Sequence, residues 1–247
     1  VTATADRADN RKLGEVFQSV AYEYSLATAI RKGYLSKIMV QTIPLEISLK
    51  GIEVQAGDYS ASSVGTALDP YLEQIADKMI EYCKGRKTLV FLPLIATSKK
   101  FTQLLIQRGF KAHEVNGQSE DREQVKEKFA KGEYDVICNS MLWTEGFDEP
   151  SIDCVIMLRP TKVRSLYSQA IGRGTRLYPG KKELLVLDFL WLTDRLDLCR
   201  PANIICRTPD VAKKMTDNIN ESGELVDLLE AETQAESDVV AEREEAL

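Results

Sequence analysis

Two arginines three residues apart give the sequence its clearest chemical signal. Arg173 and Arg176 lie in the segment QAIGRGTR, which begins at Gln169 and spans a predicted helix end. This spacing places both guanidinium groups on one side of a helical turn, and Gly172 and Gly174 let a ligand approach the backbone. Paired guanidinium groups suit a polyphosphate, because each offers a planar fork of donors. An arginine-rich surface turn explains the segment equally well on its own.

A second polar segment, NSMLWTEGFDEP, directly follows a predicted strand. Asn139, Ser140 and Thr144 supply small donors suited to phosphate oxygens. Gly146 permits close approach of a ligand, and Asp148 can accept a hydrogen bond from a hydroxyl group or an arginine. An ordinary polar loop is the alternative interpretation of this segment taken alone.

Alternating strands and helices must position these segments. Apolar runs predict buried parallel strands, and apolar residues at helical spacing predict amphipathic helices. The predicted strands cover 88–93, 111–115, 134–138, 152–158 and 184–189, and the predicted helices cover 70–84, 98–108, 120–131 and 164–171. This order predicts an α/β fold in which helices cover both faces of a parallel sheet. Ligands gather at the carboxyl ends of the strands in such sheets.

The segments outside this alternation have a different character. Residues 1–57 contain a predicted helix around 10–31 and a strand-rich stretch at 38–56. The small, polar segment at 58–69 predicts a loop or linker. Within the alternating region, Ser119 is the predicted N-cap of the helix that follows it.

Net charge is distributed unevenly along the 247 residues. The total of −6 argues against a nucleic-acid partner when taken at face value. Residues 220–247 carry −9, however, and the remainder carries +3. The acidic segment predicts an exposed or frayed helix in solvent. The body is therefore mildly basic, and the total charge does not exclude nucleic acid.

Cysteine and histidine usage predicts no metal site. The five cysteines lack zinc-ligand spacing, and the single histidine, His113, lies on a predicted strand. Three cysteines sit inside apolar runs, which is typical of buried, reduced thiols in a cytoplasmic protein.

Four ordered segments together resemble the superfamily 2 helicases. The segments TATADR at 2–7, VFLP with SKK at 90–100, TEGFDEP at 144–150 and QAIGRGTR at 169–176 resemble motifs III, IV, V and VI. The likeness is to the DEAD/DEAH-like branch that includes the motors of type I and type III restriction enzymes. It covers roughly residues 1–190.

The resemblance implies a domain organisation and an activity. Residues 58–200 would form the C-terminal RecA-like lobe, residues 1–57 a connector from a first lobe plus an accessory segment, and residues 201–247 an extension with an acidic, helical tail. The family moves along nucleic acid at the expense of ATP, and the restriction-enzyme likeness favours DNA over RNA.

The resemblance also implies roles for single residues. Arg173 and Arg176 would be arginine fingers for the γ-phosphate of ATP. The implied nucleotide-binding residues are Gln169, Gly146, Asp148 and Gly172. The implied contacts to the nucleic-acid backbone come from Thr144, Ser140, Asn139, Ser98, Lys99 and Lys100.

Two departures from the family pattern shape the interpretation. Ala5 stands where motif III has proline, and the sequence contains neither a G-x-x-x-x-G-K-[ST] phosphate cradle nor a DEAD-type acidic box. ATP and Mg²⁺ would therefore be held mainly by a separate first lobe. We expect the C-terminal part of a two-lobe motor that is inactive on its own. The alternative is a stand-alone RecA-like module that binds without hydrolysis.

Overall fold

The computed structural model describes residues 24–140, 149–192 and 198–245. In this part of the chain the strands are β1 (Lys37–Ser48), β2 (Val54–Gln55), β3 (Asp58–Tyr59), β4 (Thr88–Leu92), β5 (Ala112–Val115), β6 (Val136–Ser140), β7 (Cys154–Met157), β8 (Glu183–Leu192) and β9 (Leu225–Asp227). The α-helices are α1 (Leu26–Arg31), α2 (Ala61–Leu68), α3 (Leu72–Tyr82), α4 (Ile95–Gln107), α5 (Arg122–Ala130), α6 (Arg164–Gly172), α7 (Ala202–Ile205), α8 (Pro209–Ser222) and α9 (Leu228–Glu245).

Seven strands form one sheet in the order β5-β6-β4-β7-β8-β1-β9. The first six strands pair in parallel, and β9 pairs antiparallel with β1. Helices α2, α3 and α4 cover one face, and α1 with α5 to α9 cover the other. The predicted RecA-like fold is confirmed as a mostly parallel sheet between two helical layers. Strand β1 lies within this sheet, so the strand-rich stretch at 38–56 contributes directly to the lobe.

The segment at 58–69 is not the loop or linker that its composition suggested. Its first two residues form β3, and α2 follows. Val64 and Leu68, one helical turn apart, are fully buried. A Cβ atom built at Gly65 would lie 2.7 Å from Cδ1 of Leu94, so small residues here allow close packing. The prediction was wrong because small side chains served helix packing rather than chain flexibility.

The predicted N-cap at Ser119 was also wrong. Asp121 is the residue that precedes α5. The hydroxyl of Ser119 instead accepts a hydrogen bond from the backbone N–H of Asn116 at 3.0 Å. The serine therefore closes the turn before the helix.

The acidic C-terminal segment packs against the lobe instead of lying free in solvent. One stripe of α9 is buried through Leu228, Ala231, Ala235 and Val239. These residues recur at helical spacing, while most of the acidic residues lie on the outer side of the helix. Ion pairs tie the segment to the body, including Arg31–Glu232 at 2.8 Å and Lys37–Asp227 at 3.3 Å. The expectation of an exposed or frayed helix was therefore wrong.

Among the described residues, no helix combines the length and the apolar character that crossing a membrane requires.

Two adjacent valines test whether α9 docks in solution. Val239 is 8% exposed and Val240 is 54% exposed. We expect Val239→Ala to lower the free energy of unfolding by about 1–3 kcal/mol, because it removes buried methyl groups. The matched change Val240→Ala should stay within about 0.5 kcal/mol of the parent in urea unfolding. Equal, small effects at both positions would mean that α9 is solvated.

Candidate functional site

Helix α6 connects the two edges of the sheet. It begins after the carboxyl end of β7 and ends beside the amino end of β8. Its nine residues span about 13 Å. The candidate residues are consequently divided between the edges. The arginine turn, residues 173–176, lies at the amino edge, whereas Ser98 and Ser140 lie near the carboxyl edge.

The arginine turn continues α6 with tighter backbone hydrogen bonds. The N–H groups of Arg173, Gly174 and Thr175 each donate to the carbonyl three residues earlier, at 3.3, 3.0 and 3.3 Å. Such bonds are typical of a helix end that tightens into a 3₁₀ turn. The two arginines are half-buried and each has partners within the protein. Gln169 is half-buried one turn earlier on α6.

Two residues that the sequence analysis missed hold this turn. The N–H of Ser36 donates to the carbonyl of Thr175 at 2.7 Å, and its hydroxyl donates to the carbonyl of Arg176 at 3.1 Å. Lys181 Nζ donates to the carbonyl of Arg176 at 2.8 Å and also to that of Gly174. A lone serine and a lysine among many carried no sequence signal for this role.

Half-buried charges surround the turn at the amino edge. Burial lowers the pKa of Lys181 to about 8, although the Asp153 carboxylate opposes that shift. Burial also raises the pKa of Asp153, which the backbone N–H of Lys87 opposes by donating to it at 2.8 Å. Arg86 pairs with Glu183 at 3.2 Å. The Lys181 ammonium group that holds the turn therefore lies near a half-buried carboxylate.

The two glycines of the arginine segment have different environments. A Cβ built at Gly174 would lie 2.3 Å from Cδ1 of Leu184, so this glycine is required for packing against β8. No described atom comes within 4 Å of a Cβ built at Gly172. Of the two, Gly172 is the position that leaves space for a ligand beside the backbone.

At the carboxyl edge, two buried hydroxyl groups lie near the ends of neighbouring strands. Ser140 ends β6 opposite Leu92, the last residue of β4, and Ser98 lies in the first turns of α4. Neither hydroxyl has a hydrogen-bond partner among the described residues. Buried polar groups are normally hydrogen-bonded, so this edge retains unused hydrogen-bonding capacity. Asn139, next to Ser140, is also buried in β6.

The two lysines of α4 differ in their availability. Both are exposed. Lys100 Nζ lies 2.7 Å from both carboxylate oxygens of Asp69. In the part of the chain that the structure describes, Lys99 has no ion pair. Lys99 can therefore bind a phosphate without giving up an existing contact.

Asp58, also missed by the sequence analysis, holds the loop that leads into α6. Its Oδ2 accepts from the Thr161 hydroxyl at 2.7 Å, and its Oδ1 accepts from the N–H of Lys162 at 2.8 Å. Burial lowers the pKa of nearby Arg159, and the Asp58 charge opposes that shift. An acidic residue in a hairpin is too common to have indicated this contact from sequence.

Three predicted site residues, Thr144, Gly146 and Asp148, lie outside the described residues, as does the segment at 2–7. The structure describes the chain up to Ser140 at the carboxyl edge and again from Glu149, before β7. Across the described ranges, no cluster of three acidic, histidine or cysteine side chains could hold a metal ion.

Comparisons with known proteins connect this geometry to a family. Residues 72–178 match the family described as the helicase conserved C-terminal domain. A solved fragment, "a putative HsdR subunit of a type I restriction enzyme from Vibrio vulnificus YJ016", shares the fold with a TM-score of 0.61. It is 23% identical over 76% of this chain and 38% of its own. The match over residues 72–178 supports the predicted resemblance to the C-terminal lobe of superfamily 2 helicases.

Two yeast relatives extend the similarity of this chain beyond residues 72–178. "Putative ATP-dependent helicase IRC3" of Saccharomyces cerevisiae is 28% identical over 85% of this chain and 32% of its own length. "Putative mitochondrial ATP-dependent helicase irc3" of Schizosaccharomyces pombe is 29% identical over 85% of this chain and 35% of its own. The chain spans about a third of the length of these relatives.

The paired glycines provide a test of the geometry at the arginine turn. We expect Gly174→Ala to lower the free energy of unfolding by about 1–3 kcal/mol, because the added methyl group collides with Leu184. Gly172→Ala should leave stability unchanged or raise it by up to about 1 kcal/mol. Urea unfolding measures both. A neutral Gly174→Ala variant would contradict the packing described here.

Proposed function

We propose that the chain is the second motor lobe of an ATP-dependent DNA helicase or translocase. The observation that carries this proposal is the division of the candidate residues between two edges of one sheet. The arginine turn lies at the amino edge, and the candidate phosphate contacts lie at the carboxyl edge. Helix α6 joins the two edges, so a shift at one end can be transmitted to the other as a rigid displacement.

Arg173 and Arg176 are proposed to act on ATP held mainly by a first lobe. Guanidinium groups stabilise the negative charge that develops on the γ-phosphate during transfer to water. Gln169 would orient the turn on the nucleotide, and the open side of Gly172 would admit a phosphate or ribose. Gly146 and Asp148 are proposed nucleotide contacts. When bound, Mg²⁺ would neutralise phosphate charge, and the first lobe would supply its ligands.

The proposed nucleic-acid contacts hold the backbone without reading sequence. Ser98 and Ser140 offer hydroxyl groups with unused hydrogen-bonding capacity, and Asn139 and Thr144 add further donors. Lys99 and Lys100 supply positive charge at the start of α4, where backbone N–H groups also favour anions.

We also propose that the protein is located in the cytoplasm. All five cysteines are buried free thiols, which fits the reducing conditions of the cytoplasm. The name of the Schizosaccharomyces pombe relative makes the mitochondrion the alternative location. Imaging of the tagged full-length protein distinguishes the two.

ATP hydrolysis by a two-lobe protein tests the proposed enzymatic role. The chain would be joined to the segment that precedes it in its gene, and ATPase activity measured with and without DNA. We expect DNA-stimulated hydrolysis, and a loss of about 10³-fold or more in kcat for Arg173→Ala or Arg176→Ala. Arg207→Ala changes an exposed arginine in the C-terminal extension and should leave kcat unchanged.

Three results would contradict this role. If the joined protein binds DNA but does not hydrolyse ATP, the chain is a binding module rather than a motor lobe. If both arginine variants retain full activity, the arginine turn does not act on the nucleotide. An upstream segment without a GK[ST] phosphate cradle would also favour the binding module.

The two lysines of α4 test the nucleic-acid surface. Each phosphate contact contributes about 0.9 to the slope of log affinity against log salt on duplex DNA. We expect Lys99→Ala to lower the slope by about one, and Lys100→Ala to lower it less, because Lys100 must first leave Asp69. Lys213→Ala on α8 is the control. Unchanged slopes in both α4 variants would exclude this surface, and equal affinity for matched RNA would remove the preference for DNA.

A further inference from the structure

We propose that Ser36 and Lys181 form a carbonyl clamp that positions the arginine turn for its action on ATP. The inference deepens the proposed function and rests on it. Neither residue lies within 72–178, the part that matches the helicase family. Their role would be to set the orientation of Arg173 and Arg176 through the backbone, without touching the nucleotide.

The clamp engages three consecutive carbonyl groups. The carbonyl of Gly174 accepts a hydrogen bond from Lys181, and the carbonyl of Thr175 accepts one from Ser36. The carbonyl of Arg176 accepts hydrogen bonds from both residues. Because a side chain leaves its Cα in a direction that the backbone dihedrals determine, holding three successive peptide groups restricts where the guanidinium groups can point. The clamp therefore acts on the backbone of the turn itself.

Each clamp residue is anchored to the central sheet. Ser36 is buried and directly precedes β1, whose first residue Lys37 pairs with Glu183 at the start of β8. Lys181 precedes the same end of β8. The packing of Gly174 on Leu184 adds a third attachment to β8. The turn is thus fixed to the amino ends of two adjacent strands.

Lysine suits this position because one ammonium group carries three donors. It can serve two carbonyl groups at once while remaining half-buried. Methionine has a similar length and no donor, so Lys181→Met would leave both carbonyl groups without this partner. Arginine keeps the donors in a different geometry and should restore part of the function.

A matched control is available at the same edge of the sheet. Lys87 Nζ also donates to two backbone carbonyls, those of Phe129 and Ala130 at the end of α5. Lys87→Met therefore removes the same kind of interaction from a helix end that carries no candidate site residue. This control variant separates a general loss of stability from a loss of positioning of the arginine turn.

The experiment uses two readouts. In the two-lobe protein, we expect Lys181→Met to lower kcat for ATP hydrolysis by about 10- to 100-fold, with KM for ATP and DNA affinity within about twofold. Ser36→Ala keeps its backbone donor and should lower kcat less. Lys181→Arg should recover part of kcat, and Lys87→Met should leave it unchanged.

The second readout is amide hydrogen exchange in the 247-residue chain. Lys181→Met should speed exchange in the peptide covering 172–178 at least tenfold, and Lys87→Met should not.

Each outcome bears on the clamp. A Lys181→Met variant with parental kcat overturns it, and so does an equal fall in kcat for Lys87→Met. If Lys181→Met does not fold in the two-lobe protein, Ser36→Ala decides the question by the same criterion. If the parent shows no ATPase activity, the proposed function fails instead, and the clamp is judged by exchange alone. In that case, unchanged hydrogen exchange at 172–178 in both Lys181→Met and Ser36→Ala overturns the clamp proposal.

Discussion

The parallel pairing of β1 with β8 is the interaction on which the rest of the lobe depends. It brings Ser36, before β1, within hydrogen-bonding distance of the arginine turn, which precedes β8 by a few residues. On its other side β1 pairs with β9, which leads into α9. A shift of one residue in this register would turn each strand's side chains to the opposite face, and two closely packed layers strongly disfavour that shift. The pairing thereby joins the N-terminal segment, the helicase domain and the C-terminal extension into one sheet.

Helix α6 is held at both ends by contacts from other parts of the chain. The loop before it is held by Asp58, from the β2–β3 hairpin, and the turn after it is held by Ser36 and Lys181. Two of these three residues come from the chain segment before the family match. The motif carries the chemical groups, and residues outside the motif fix where those groups lie.

The sequence predicted the elements whose hydrophobic pattern is unambiguous. The apolar runs of β4, β7 and β8 and the amphipathic α3 are recognisable from residue type alone, because burial on one or both faces determines which side chains are tolerated. The segment at 58–69 failed this test, since its small residues are as frequent in loops as in tight helix contacts. The sequence did not predict the docking of α9 for a similar reason, because its alanine-rich stripe is a weak hydrophobic signal beside many charges.

Candidate site residues were recognisable in the sequence only where a motif marked them. Arg173 and Arg176 stand out by type and spacing, whereas Ser36, Asp58 and Lys181 act through hydrogen bonds that no motif marks. For Ser36 and Asp58 the partner is more than 100 residues away. One sequence gives no pattern for such distant pairs. Lys181 is close to its partners, but a lysine beside a turn is ordinary.

Strand β9 has a practical consequence for anyone producing this lobe. It pairs with residues 39–41 on the outer edge of β1, which at 12 residues is the longest strand in the described part of the chain. A chain cut before residue 225 would leave the backbone donors and acceptors of that stretch without their strand partner, and an open, apolar edge recruits strands from other molecules. The acidic segment thus shields part of this edge by pairing with it and places negative charge beside it. An expression boundary placed at the end of the helicase domain would remove both.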